Sequence, residues 1–175
     1  MNDANRTLAI TLLRAFNYTI QPSSFQDYSH QKGSQCLGAH RYQLAFYPHS
    51  GNWEKANVYR EALCFNNDIR LFQIGRAEGE LNPEASFIKL EPENLIFSCL
   101  KLPEDRKEKS AILRIYNPTE EDIHGSITFQ LKLKDVHQVT LEEKYIKRFM
   151  IIDEHTLEIQ VLKKKIVTLK LIFEE

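Results

Sequence analysis

Arg14, His40, His49, Trp53, Arg114 and Asn117 are the residues here whose type and setting suit them to hold a ligand or a partner surface. Arg14 ends the apolar run Thr7–Leu13 and opens a long polar loop, which places its fork at a rim. A guanidinium fork fits paired hydroxyls or a carboxylate; a salt bridge within its own domain is the plainer role. His40, His49 and Trp53 offer hydrogen-bonding rings and one flat apolar face. The plainer alternative is that Trp53 anchors a helix and His40 is a satisfied, partly buried side chain. Arg114, in LRIYNP, stands with Tyr116 on the strand face opposite Leu113 and Ile115, so it meets solvent or a second layer. Asn117, which opens the turn that follows, is grouped with it as a candidate for the interface to that layer. Arg60 falls within the apolar arc of its helix and needs an acidic partner elsewhere in the fold.

Other chemistries lack their residues. The chain has 24 acidic side chains, but the clusters Glu142-Glu143 and Glu120-Glu121-Asp122 are sequence neighbours. Neighbours along a strand point to opposite faces, so they do not make a shared acid/base pair. Cys36 and His40 have three residues between them, and His49 comes well after both. No second close pair completes a zinc spacing. Neither catalytic nor metal-binding residues are assigned.

These side chains need elements to carry them. The stretch from Gln35 to Asn66 reads as a strand from His40, a polar turn at Pro48–Asn52 and a helix over 52–65 with Trp53, Ala56, Tyr59, Leu63 and Cys64 at helical spacing. Further strands are expected at 7–13, 68–74, 87–90, 95–102, 111–116, 126–133, 136–141, 149–152, 156–161 and 166–173. The run 95–102 is almost continuously apolar and reads as central. Residues 15–34 read as a long loop carrying Phe16, Tyr18, Phe25 and Tyr28. PEDRKEK, from Pro103, reads as a solvated hairpin tip, and Lys163-Lys164-Lys165 as a solubilising hairpin end. Many short strands and a single helix predict a mainly β fold, an antiparallel β-sandwich forming one domain over 1–175.

Composition narrows the function. A net charge of −1 leaves no footprint for nucleic acid or an anionic membrane. Apolar residues at 42% suffice for a core, and no apolar run is long enough to span a bilayer. The start MNDANRT lacks a secretory apolar region. Three cysteines without a pairing framework suit reduced thiols, so a cytoplasmic location is expected.

The run QCLGAH…LAFYPHSGNW…A…YREALCFN resembles a signature in the C-terminal part of family 38 glycoside hydrolases, the α-mannosidases, of bacterial type. ENLIFSCLKL…SAILRIYNPTEEDIHGSI is similar to a second motif of these enzymes, and the opening TLAITLLRA to a third. The resemblance implies a C-terminal β domain of a larger retaining enzyme that hydrolyses α-mannosides. A catalytic domain, absent here, would hold the carboxylates and the zinc. It further implies that Arg14 reaches toward the sugar pocket, although this chain has Leu13-Arg14 where larger members carry a double arginine. The implied partners are that catalytic domain and a mannose-containing oligosaccharide, with homo-oligomerisation open. A stand-alone carbohydrate-binding module and a structural or assembly sandwich are the competing readings.

Overall fold

Branched apolar residues at alternate positions build the core. In the computed structural model, which describes residues 7–16, 32–76, 78–79, 82–105 and 108–174, β1 (Ile88–Glu91), β4 (Ile123–Phe129) and β7 (Thr156–Val161) form a three-stranded sheet in the order β1-β4-β7. β2 (Ile96–Lys101), β3 (Ser110–Tyr116), β8 (Ile166–Phe173), β5 (Leu133–Val139) and β6 (Tyr145–Phe149) form a five-stranded sheet in that spatial order. All named pairings are antiparallel. Ile127, Phe129, Leu157 and Val161 of the small sheet meet Leu113, Ile115, Val136, Leu169 and Leu171 of the large one in a single buried cluster. The fold is the antiparallel β-sandwich that the alternation predicts. The chain divides into two units, residues 1–46 and 47–175, and the sandwich belongs to the second.

Three alternating runs expected to be strands do not pair. Residues 7–13, 40–47 and 68–74 carry no regular secondary structure. Their apolar side chains are exposed, Leu8 at 87% and Leu71 at 90%. A strand needs a neighbour's backbone and a cover for its apolar face, and alternation supplies neither. Of the loop aromatics, Phe16 is exposed, and Tyr18, Phe25 and Tyr28 lie outside the described residues.

The helix is shorter than 52–65: α1 runs Val58–Asn66. Asn52 does act as a cap, but of the turn before it, its Oδ1 accepting from the Lys55 amide at 3.0 Å. Residues 53–57 are turns, and Asn57 at φ 50 delays the helix to Val58. Arg60 finds its expected acidic partner in Glu93.

Within the sandwich, β2 is an edge strand rather than a central one. Its apolar run misleads because Phe97 and Leu100 are half-exposed at the open side of the sandwich. The alternation at 126–133 crosses a turn at 130–132. Ile127 and Phe129 end one strand inside, Leu131 is exposed, and Leu133 begins the next strand inside. The strand expected at 149–152 lies earlier, at Tyr145–Phe149.

The outer face of the large sheet is not a plain solvent face. Lys101, Ile112, Lys170, His137 and Arg148 stand in one row across its strands. Ile112 is fully buried between the two lysines, whose aliphatic stems cover it. The connection after β2, expected to be a solvated tip, supplies counter-charges. Asp105 and Glu108 pair with Lys170 at 3.1 and 2.9 Å, and Glu104 with Lys101 at 2.7 Å. Glu143, from the β5–β6 turn, reaches Lys101 at 2.6 Å and accepts the Glu104 amide at 2.8 Å.

That arrangement makes stability depend on pH. The Lys101 hydrogen bond holds the Glu143 carboxyl below its ordinary range, against the opposing pull of burial. A depressed carboxyl contributes stability above its unfolded pKa and loses it as pH falls through the folded value. Glu143→Gln is therefore expected to lower the thermal midpoint near neutral pH, with the gap to the parent closing below about pH 4. Melts of both proteins from pH 7 to pH 3 measure this; a gap independent of pH would mean that the charge is not what holds the turn.

Candidate functional site

One end of the sandwich gathers several of the sequence-predicted residues. The turn after β3 is shaped by Asn117, which is 1% exposed. Its Nδ2 donates to the carbonyls of Glu121 and Val161 at 2.7 and 3.0 Å. Its Oδ1 accepts from the Thr119 amide at 2.8 Å and the Thr119 hydroxyl at 2.7 Å. An amide has two donors and two lone pairs, so this side chain is spent inside the fold and has nothing left for a second layer. Arg114 is half-buried and donates through Nε to Thr168 Oγ1 at 3.3 Å. It faces the outer side of the large sheet with Lys170 rather than the end where Asn117 lies.

Residues 53–60 pack on this end. Trp53 meets Tyr59 edge-on at 5.1 Å, and Lys164 Nζ lies 5.0 Å above the Trp53 ring. Glu54 Oε1 accepts from the Glu120 amide at 2.9 Å. Burial, with Tyr59 close by, pushes the Tyr116 hydroxyl up, so it stays protonated as a donor. Trp53 is thus an anchor, with one face taken by Lys164. His49 is exposed just before it, its ring 5.8 Å from that of Tyr47.

In the first unit the Arg14 backbone and the His40 ring both approach Cys36, beside a short 3-10 turn at Gly33–Gln35. The Phe16 amide donates to the Ser34 carbonyl at 3.0 Å. The Cys36 thiol approaches the Arg14 carbonyl at 4.0 Å, and His40 Nε2 donates to the Cys36 carbonyl at 2.6 Å. Cys36 adopts φ 48, which turns its carbonyl toward the histidine. The Arg14 side chain is exposed, and no described residue pairs with its guanidinium. Sequence spacing gives no hint that both approach Cys36, since 26 positions separate Arg14 from His40.

One concavity was not anticipated from the sequence. An open groove of about 840 Å³ runs along the small sheet, lined by Glu91, Glu93, His124, Ser126, Glu158 and Gln160. Glu91, Ser126 and Glu158 stand in one row across its three strands. Glu91 pairs with Lys89 at 2.9 Å, and Glu93 with Arg60. Such a groove can hydrogen-bond hydroxyls. The only sequence signal was outward position on three separate strands, which ordinary surface charge shares.

Glycoside hydrolysis needs one carboxyl raised to serve as an acid. Among the described carboxyls, Asp135, Glu143 and Asp153 are held below the ordinary carboxylate range. Burial pushes Asp135 up, but Arg148, the Val136 amide and His137 outweigh it. Among the described residues no three His, Cys, Asp or Glu converge where a metal ion could sit. Cys36, Cys64 and Cys99 are free thiols.

This sandwich can be set beside known proteins. Residues 94–169 match the glycosyl hydrolases family 38 C-terminal beta sandwich domain. The family resemblance carried by ENLIFSCLKL and LRIYNP therefore holds over the sandwich. The chain is also 25% identical over 164 residues to a curated protein of Halalkalibacterium halodurans described as "Putative mannosylglycerate hydrolase". That alignment takes in 94% of this chain but 17% of the relative. The chain thus spans about a sixth of the length of the curated relative that it matches. Among the described residues no helix is long and apolar enough to cross a membrane.

Proposed function

We propose that this chain is the C-terminal part of a longer family 38 α-mannosidase, where it packs on the catalytic domain and lines its sugar pocket. One observation carries this reading. The runs 7–13, 40–47 and 68–74 are irregular and leave their apolar side chains exposed, while the sandwich buries a single core cluster. Isolated domains rarely leave apolar surface on that scale in water. Unpaired apolar segments ask for a neighbouring strand or domain. The relative, of which this chain spans 17%, has the length to supply one.

In this reading Arg14 and His40 stand at the pocket rim, where an unpaired fork and an imidazole can bind the hydroxyls of a mannose-containing oligosaccharide. The catalytic carboxylates and the zinc lie in the other domain, and the free thiols suit a cytoplasmic enzyme. A stand-alone sugar-binding module is less well supported, because Lys164 occupies a face of the one tryptophan.

The test is kinetic. The isolated chain supplied with zinc is expected to leave an aryl α-mannoside intact. In the full-length enzyme Arg14→Ala is expected to lower kcat/KM about tenfold, roughly 1.4 kcal/mol of transition-state stabilisation, with the thermal midpoint unchanged. A loss below about twofold would assign Arg14 a structural role. Self-association of the chain that buries 7–13, 40–47 and 68–74 would favour an assembly module instead.

A further inference from the structure

We propose that Lys164 is a positioning residue, the one through which the C-terminal sandwich holds the segment carrying His49 and Trp53. Three lysines occupy the turn between β7 and β8, and a solubilising role explains the flanking pair. All three are exposed, Lys164 with 46% of its side chain open to water, so exposure does not tell them apart. Lys164 differs in both backbone and side chain. Its φ is 54, in the left-handed region where glycine or asparagine is the ordinary choice. A turn selected for solubility alone has no reason to keep lysine there.

The side chain supplies a reason. Lys164 Nζ donates to the Pro118 carbonyl at 2.7 Å, pairs with Glu120 Oε1 at 2.9 Å and lies 5.0 Å above the Trp53 ring. An ammonium has three donors and no acceptor. Two point at oxygens, and its charge faces the electron-rich ring. The Glu120 amide in turn donates to Glu54 Oε1 at 2.9 Å. The contacts close a ring: Lys164 to Glu120, Glu120 to Glu54, Glu54 along the chain to Trp53, and Trp53 back to Lys164. Three separate stretches meet in it, the β3–β4 turn, the β7–β8 turn and residues 53–54. Arg60 on Glu93 fixes the far end of the same segment. The left-handed backbone at Lys164 is retained because it aims the ammonium at all three partners.

The docking stands on the contacts alone and does not depend on the function proposed above. Trp53 is the one tryptophan of the chain, so its fluorescence reports docking in the protein as it is. Lys164→Met keeps the stem and removes the charge. Lys164→Arg keeps the cation. Lys164→Gly removes the side chain while suiting the left-handed backbone. The Met and Gly variants are expected to shift Trp53 emission to the red and to raise acrylamide quenching about twofold, as local loosening of a docked segment does. Lys164→Arg should restore the parent values, and Lys164→Gly should keep or raise the thermal midpoint. Unchanged emission in both the Met and Gly variants overturns the proposal. So does a lowered midpoint with unchanged emission, which marks Lys164 as a hairpin residue only. A neutral Arg14→Ala result in the full-length enzyme would sink the sugar-rim reading and leave this one standing.

Discussion

Asn117→Ala is expected to cost the fold about 3 kcal/mol, as much as a large core truncation. The side chain is buried and makes four hydrogen bonds, two donated and two accepted. Removing it leaves the Val161 carbonyl and the Thr119 amide without that partner in a site with little access to water. Each such orphan costs roughly 1–3 kcal/mol. Asn117→Asp separates the two halves of the network. It keeps the acceptor for Thr119 but turns the donor side into an oxygen facing the Glu121 and Val161 carbonyls. It should be as harmful as alanine at neutral pH and milder once protonated in acid. Urea melts at two pH values measure both effects. A cost for Asn117→Ala below about 1 kcal/mol would mean that Thr119 and the backbone hold the turn by themselves. The result bears on function, because the same turn presents Glu120 to Glu54 and Lys164.

Gly125→Ala is the second large effect, about 2–4 kcal/mol. A Cβ there would sit 2.2 Å from the Glu91 carbonyl oxygen and 3.1 Å from Pro92 Cδ. The obstacle is backbone, which cannot step aside as a flexible side chain can. β1 must therefore lift away from β4 at its end. That displaces Glu91 in the polar groove and Glu93, the partner of Arg60. Gly75→Ala is the control, since nothing lies within 4 Å of the Cβ it would add; it should be near neutral. If Gly125→Ala is equally mild, β1 is loosely held and the groove is not a fixed feature.

The likeness of the sandwich to the family 38 C-terminal domain was legible because its motifs are local. LRIYNP and the alternations of β7 and β8 carry their structure in adjacent residues: a β-branched run, then a turn forced by Asn-Pro. Period-two patterning picked out Leu113 and Ile115 of β3 and Ile127 and Phe129 of β4 as core residues, and all four are buried in the structure. That Arg60 had to pair or snorkel was also readable from its place on the helix, and it pairs with Glu93 while staying half-exposed. The identity of that partner was not readable, because sequence separation carries no information about approach.

What only tertiary structure decided are the properties set by neighbours. The runs 7–13, 40–47 and 68–74 have strand-like patterns, yet pairing requires a second backbone, and among the described residues none takes that place. The apolar run at β2 reads as central, but whether a strand is central or edge depends on what lies beside it. Asn117 looks like an exposed turn residue until the ends of β3 and β7 close around it. Lys164 looks like one of three solvated lysines until its left-handed backbone points it at Trp53. Alternation records which face of a strand avoids water; it does not record which other segment covers that face, and the candidate site is made of such meetings.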